Sequence, residues 1–172
     1  MAKRIKSSPA ILVVLIIALS FGNTIVAQGI QTSSEEVEAA FISNFLNFID
    51  RSSFKDGAVK ICLDQKSSGI SGNYFSAKPG SPPITIEEFE SVGLDPSCAV
   101  IVTGHHLKVK DPPERKPLII VNQESECSKN SHIRFFISEN RVRFAINLES
   151  IKRDGFKVSS KLLSLAKIED CL

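Results

Sequence analysis

Apolar residues recur along this chain with two periods, and the switches between them divide it into elements. Val142, Phe144 and Ile146 alternate with Arg143, Ala145 and Asn147, the pattern of a half-buried strand. Leu148 to Arg153 then fits a short helix, with Asn147 as N-cap and Gly155 as its stop. Ser159 or Ser160 can cap a last helix in which Leu162, Leu163, Leu165, Ala166 and Ile168 form a broad apolar face. Phe144, Leu148, Leu162, Leu165 and Ile168 are therefore expected in the core.

Upstream, Ser33 with Glu36 offers a capping box ahead of Val37, Phe41, Phe45, Phe48 and Ile49 at helical spacing. This predicts an amphipathic helix ending near Asp50, its Phe stripe facing the core. Ala58 to Leu63, Ile84 to Ile86, Cys98 to Thr103 and Leu118 to Val121 read as strands. The continuous apolar runs among them suit buried parallel strands. Asn73 to Ala77 reads as a poor helix, Glu87 to Val92 as a helical turn, and Gly104 to Val109 as a helix start broken by Pro112 and Pro113. His132 to Ser138 and Arg141 to Asn147 form a hairpin across Glu139-Asn140, since Asn tolerates the positive φ of a tight turn. Strand–helix alternation closed by a hairpin predicts one α/β three-layer domain, a mixed sheet flanked by helices, with the hairpin followed by helices.

The N-terminus changes how the rest is read. Lys3, Arg4 and Lys6 precede an apolar run from Ile11 to Leu19, and Ile25-Val26-Ala27 offers a cleavage site, the layout of a secretory signal peptide. Residues 1–27 are thus expected to be a leader and 28–172 the mature exported domain. The whole chain has 21 Lys+Arg and 19 Asp+Glu; the leader holds three of the basic residues and no acidic one, leaving 18 against 19, a net of −1. That balance gives no pull toward nucleic acid.

Candidate chemistry is sparse. All four cysteines, Cys62, Cys98, Cys127 and Cys171, follow the leader, and an even count in an exported chain suggests two disulfides with three possible connectivities. The alternative is that one or both pairs stay reduced and Cys62 is a small core residue. No CxxC, G-x-S-x-G, H-E-x-x-H or P-loop spacing occurs. His105-His106 and His132 are the only histidines, and adjacent His side chains rarely chelate one metal; neither a metal nor another cofactor is expected. Gly104-His105-His106 follows a buried strand, where α/β folds bind ligands, though a solvent-facing helix start explains it as well. Glu87, Glu88 and Glu90 read as a solvated face. Lys108, Lys110, Arg115, Lys116 and Lys129 form a basic region, either a solvated loop or a surface for an acidic partner.

"RVRFAINL", Gly155 and "KVSSKLLSLA" together resemble the C-terminal block of the YfiR-like family. Those are small periplasmic proteins of Gram-negative bacteria, and the best-understood type represses a membrane-bound diguanylate cyclase. The segments "ICLD" and "CAVIV" are similar too, and the resemblance implies a Cys62–Cys98 bridge, leaving Cys127 for Cys171. The chain departs from the family pattern at Asp50-Arg51, Asn130-Ser131 and Ala145. The resemblance implies a regulatory protein rather than an enzyme. Its partner would be the periplasmic domain of an inner-membrane receptor, a diguanylate cyclase or a sensor kinase, with homodimerisation left open. Contacts are expected at Asn147, Glu149, Lys152, Arg153 and Lys157, with Ile151 or Phe156 as an apolar anchor. The plain alternative is capping for Asn147 and solvated charge for the others. The competing function is a small-ligand-binding module working with a sensor kinase or an outer-membrane transport system.

Overall fold

The computed structural model describes residues 32–50, 58–76, 81–89, 97–105, 116–122 and 128–171. The leader, His106, Lys108, Lys110, Arg115 and Cys127 lie outside them.

Helix α1 spans Ser34–Phe45, and the Ser33 hydroxyl accepts from the Glu36 amide at 3.2 Å, as the capping pattern predicts. It stops short of Asp50 because the chain finds other partners. Ile49 forms an antiparallel bridge with Val158, the Asp50 amide donates to Lys157, and the Ser159 amide donates to Phe48. The buried side is rotated slightly from the expected one. Ala39, Ile42, Phe45, Leu46 and Ile49 are buried, Phe41 and Phe48 pack at the margins, and Val37 is half-buried. Phe41 and Phe45 lie against Phe135 and Phe144, with ring centroids 4.8 to 6.1 Å apart. The Phe stripe is core.

Among the described residues, seven strands form one sheet: β1 Val59–Leu63, β2 Ile84–Glu88, β3 Val100–Thr103, β4 Leu118–Val121, β5 Ile133–Ser138, β6 Arg141–Asn147 and β7 Lys167–Glu169, in the order β2-β1-β3-β4-β5-β6-β7. Only β5 and β6 are antiparallel; every other neighbouring pair is parallel. All residues of β3 and β4 are buried, which accounts for their unbroken apolar runs. Alternate positions, among them Ile61, Val102, Ile120, Phe135 and Ile146, join α1 in the main core. On the opposite face Cys62, Cys98 and Ile101 form a smaller cluster with Phe89 against it. The α/β architecture, with its mixed sheet and C-terminal hairpin, is the one the sequence predicts. Glu139 and Asn140 turn the hairpin at φ 50° and 60°.

Two short pieces follow β1: helix α2, Gln65–Ser68, capped by Asp64 and ended by Gly69 at φ 69°, and a 3₁₀ turn, Gly72–Tyr74, in place of the poor helix. Glu87 and Glu88 belong to β2 rather than to a helical turn, because β1 offers them ladder positions opposite Cys62 and Leu63.

After the hairpin come α3, Leu148–Arg153, and α4, Ser160–Leu163. Here the expectation of a helix running to Ile168 fails. Ser164 turns its hydroxyl back to the Lys161 carbonyl, and the chain then pairs Lys167, Ile168 and Glu169 with the free edge of β6. Phe144 and Leu162 are buried, as expected; Leu148 is only partly buried at the core's margin, and Leu165 and Ile168, 67% and 43% exposed, are not core.

Candidate functional site around helix α3

The residues expected to contact a partner cluster on α3 and its flanks, but they divide into two groups. Asn147 is buried; its side chain accepts from the Glu149 and Ser150 amides, both at 3.1 Å, and donates to the Ser128 carbonyl at 3.4 Å. It caps the helix and ties it to the preceding loop. Ile151 and Phe156 are core, so neither serves as an exposed anchor. The 3.6-residue period turns Ile151 inward against the sheet, and the Gly155 turn, φ 79°, brings Phe156 back edge-on to His132. Glu149, Lys152, Arg153 and Lys157 remain exposed, Lys157 lying 3.9 Å from Asp50.

Asp154, which is not among the contacts expected from the sequence, organises this surface. Its carboxylate, 5% exposed, accepts from Lys116 Nζ at 2.6 Å, from Arg153 Nε at 3.1 Å and Nη2 at 3.0 Å, and contacts His132 Nε2 at 3.0 Å. Arg153 Nη1 also donates to the Lys129 carbonyl at 2.8 Å. Lys116 and Lys129, two members of the expected basic region, are therefore gathered beside α3. A carboxylate at a helix C-terminus opposes the helix dipole and needs cations around it, which is the signal that Asp154 carries in the sequence.

The histidine in this cluster has a fixed tautomer. The Ile119 amide donates to His132 Nδ1 at 2.9 Å, so the ring proton sits on Nε2 and points at Asp154. Burial lowers the His132 pKa to about 4, outweighing the attraction of Asp154. Burial alone would raise Asp154, but hydrogen bonds from Arg153 and Lys116 prevail and hold it well below the usual carboxylate range. The pair is a neutral imidazole donating to a carboxylate.

The far ends of β1 and β3 hold a second polar group. The Gly104 amide donates to Ser67 Oγ at 2.8 Å, Ser67 Oγ meets Thr103 Oγ1 at 3.3 Å, and the His105 amide donates to Thr103 Oγ1 at 3.2 Å. A β-carbon at Gly104 would collide with the Ser67 carbonyl. His105 lies here, beyond the C-terminal end of β3, whereas His132 lies before the N-terminal end of parallel β5, so these two do not converge.

Cys62 and Cys98 are bridged, Cα to Cα 5.8 Å, joining β1 to the segment that enters β3. Cys171 is buried and disulfide-bonded, while its expected partner Cys127 lies outside the described residues. Among the described residues no helix is long and apolar enough to cross a membrane. The stretch from α1 through the start of β7, residues 35–167, matches the YfiR/HmsC-like family, and the chain belongs to that family.

Proposed function

We propose that this chain is an exported periplasmic protein that binds the sensing domain of a membrane diguanylate cyclase and keeps cyclic di-GMP synthesis low. Membership of the YfiR/HmsC-like family supports a general regulatory role, and it is the observation that carries the reading. The leader pattern of residues 1–27, with cleavage near Ala27, and the Cys62–Cys98 bridge support an oxidising compartment.

Glu149, Lys152, Arg153 and Lys157 are the proposed contacts. Arg153 is the most organised of them: its side chain is 44% exposed, yet Asp154 and the Lys129 carbonyl fix its guanidinium. A side chain already ordered loses less freedom on binding. The mechanism is population shift: the protein binds the inactive receptor state better, and its release lets the cyclase activate.

Deleting the gene and measuring cyclic di-GMP and surface attachment tests this. Both should rise, and Lys152→Glu, folded like the wild type, should fail to restore them. Unchanged cyclic di-GMP after deletion would remove the cyclase and leave ligand binding as the competing function.

A further inference from the structure

The face of β5, β6 and β7 that points away from the main core is cationic. Sheet register sets its side chains in rows: Arg134, Ala145 and Lys167 stand side by side, then Phe136 opposite Arg143, then Ser138 opposite Arg141. Their chain neighbours Phe135, Phe144 and Ile146 point into the main core, which places this set on the opposite face of the sheet, where Ala145 is covered and Arg141, Arg143 and Lys167 are exposed. Phe136 is half-buried, with the Arg134 guanidinium 5.3 Å and the Lys167 ammonium 5.8 Å from its ring centroid. One carboxylate serves the row. Glu169 accepts from Arg134 at 3.2 and 2.5 Å and from Lys167 at 3.0 Å. Arg141 and Arg143 are exposed, and among the described residues neither has an ion-pair partner. Even counting Glu139 in the turn, four cations face two carboxylates.

Gathering like charges on adjacent strands opposes folding slightly, and the fold itself uses only Arg134 and Lys167, through Glu169. We propose that this face binds an acidic, extended segment of a protein partner, its carboxylates held by Arg141 and Arg143 and an apolar side chain laid on Phe136. Guanidinium forks match carboxylates in pairs. A lipid surface fits less well, because membrane-seeking aromatics protrude, whereas Phe136 lies recessed between cations. The proposal rests on the regulatory reading only in taking that partner to be the receptor.

The test is an NMR titration of the disulfide-intact protein with a peptide of alternating Glu and Phe, at low and high salt. Amide shifts should concentrate on β5, β6 and β7 and weaken with salt. Arg143→Glu should lower affinity about tenfold or more, with an unchanged melting transition, while Lys66→Glu on α2 leaves affinity unchanged. Shifts centred elsewhere, or affinity indifferent to Arg143→Glu and to Arg143→Ala, would overturn the proposal. So would Arg143-dependent binding to phosphatidylglycerol vesicles in preference to the peptide. Failure of the titration leaves the deletion phenotype standing, and an absent deletion phenotype leaves the titration standing, so the two readings fail separately.

Discussion

His132 donates to Asp154 across 3.0 Å, joining the start of β5 to the residue that ends α3. The Ile119 amide occupies the other ring nitrogen, so a second proton on His132 would face a donor.

This pair predicts acid sensitivity in two windows. His132 takes a proton near pH 6.5 when unfolded but only near 4 when folded, so between those values the unfolded state binds more protons and stability is lost as the pH is lowered. The full loss is on the order of 3 kcal/mol. The depressed Asp154 adds a further loss in the same direction at lower pH, as the unfolded carboxylate begins to protonate. Urea midpoints measured across this range should show both, and His132→Gln should flatten the upper one.

Asp154→Ala should cost about 1–3 kcal/mol, because it leaves the buried His132 N–H without its acceptor. Arg153→Ala removes an exposed cation from the same carboxylate and should cost less than about 1 kcal/mol. Melting curves of the two variants separate the buried part of the cluster from its exposed rim.

Glycine replacement should expose two different constraints. Gly104→Ala meets the Ser67 carbonyl and should destabilise by more than about 1 kcal/mol, with shifts at Ser67 and Thr103. Gly155→Ala has open space but a φ of 79°, so its cost is backbone strain of about 1 kcal/mol, without displaced neighbours.

Leu162→Ala and Leu165→Ala should differ sharply. Leu162 is buried and should lose about 2–5 kcal/mol, whereas Leu165 should change little, within about 0.5 kcal/mol. Equal melting temperatures would contradict the placement of α4.

Cys62 and Cys98 lie 36 residues apart, and chain-entropy reasoning gives their bridge about 4 kcal/mol. Cys98→Ser should lower the denaturation midpoint accordingly. Non-reducing peptide mapping should also recover Cys127 linked to Cys171.

The elements legible in the sequence carry their own local signal. β3 and β4 are apolar runs, the hairpin has Asn140 at its turn, and Ser33, Asn147 and Ser159 cap the helices they precede. β7 carries none. A three-residue edge strand exists because β6 presents free backbone groups, and Leu162, Leu165 and Ala166 meanwhile mimic a helical stripe. The site was half legible for a similar reason. Polar positions on α3 could be named, but only the fold brings His132 and Lys116 to Asp154 and the Lys129 carbonyl to Arg153. Asn147 and Ile151 looked available because the same residue types serve caps, cores and contacts alike.

The Ile49–Val158 bridge and the tilted packing of Phe45 against Phe144 also bear on folding rate. Both join positions roughly a hundred residues apart in the chain, which marks a topology of high contact order. The centre of the core cannot assemble until the last quarter of the polypeptide is present. Until then a growing chain lacks the contacts that join α1 to the C-terminal hairpin, so this part of the fold forms late.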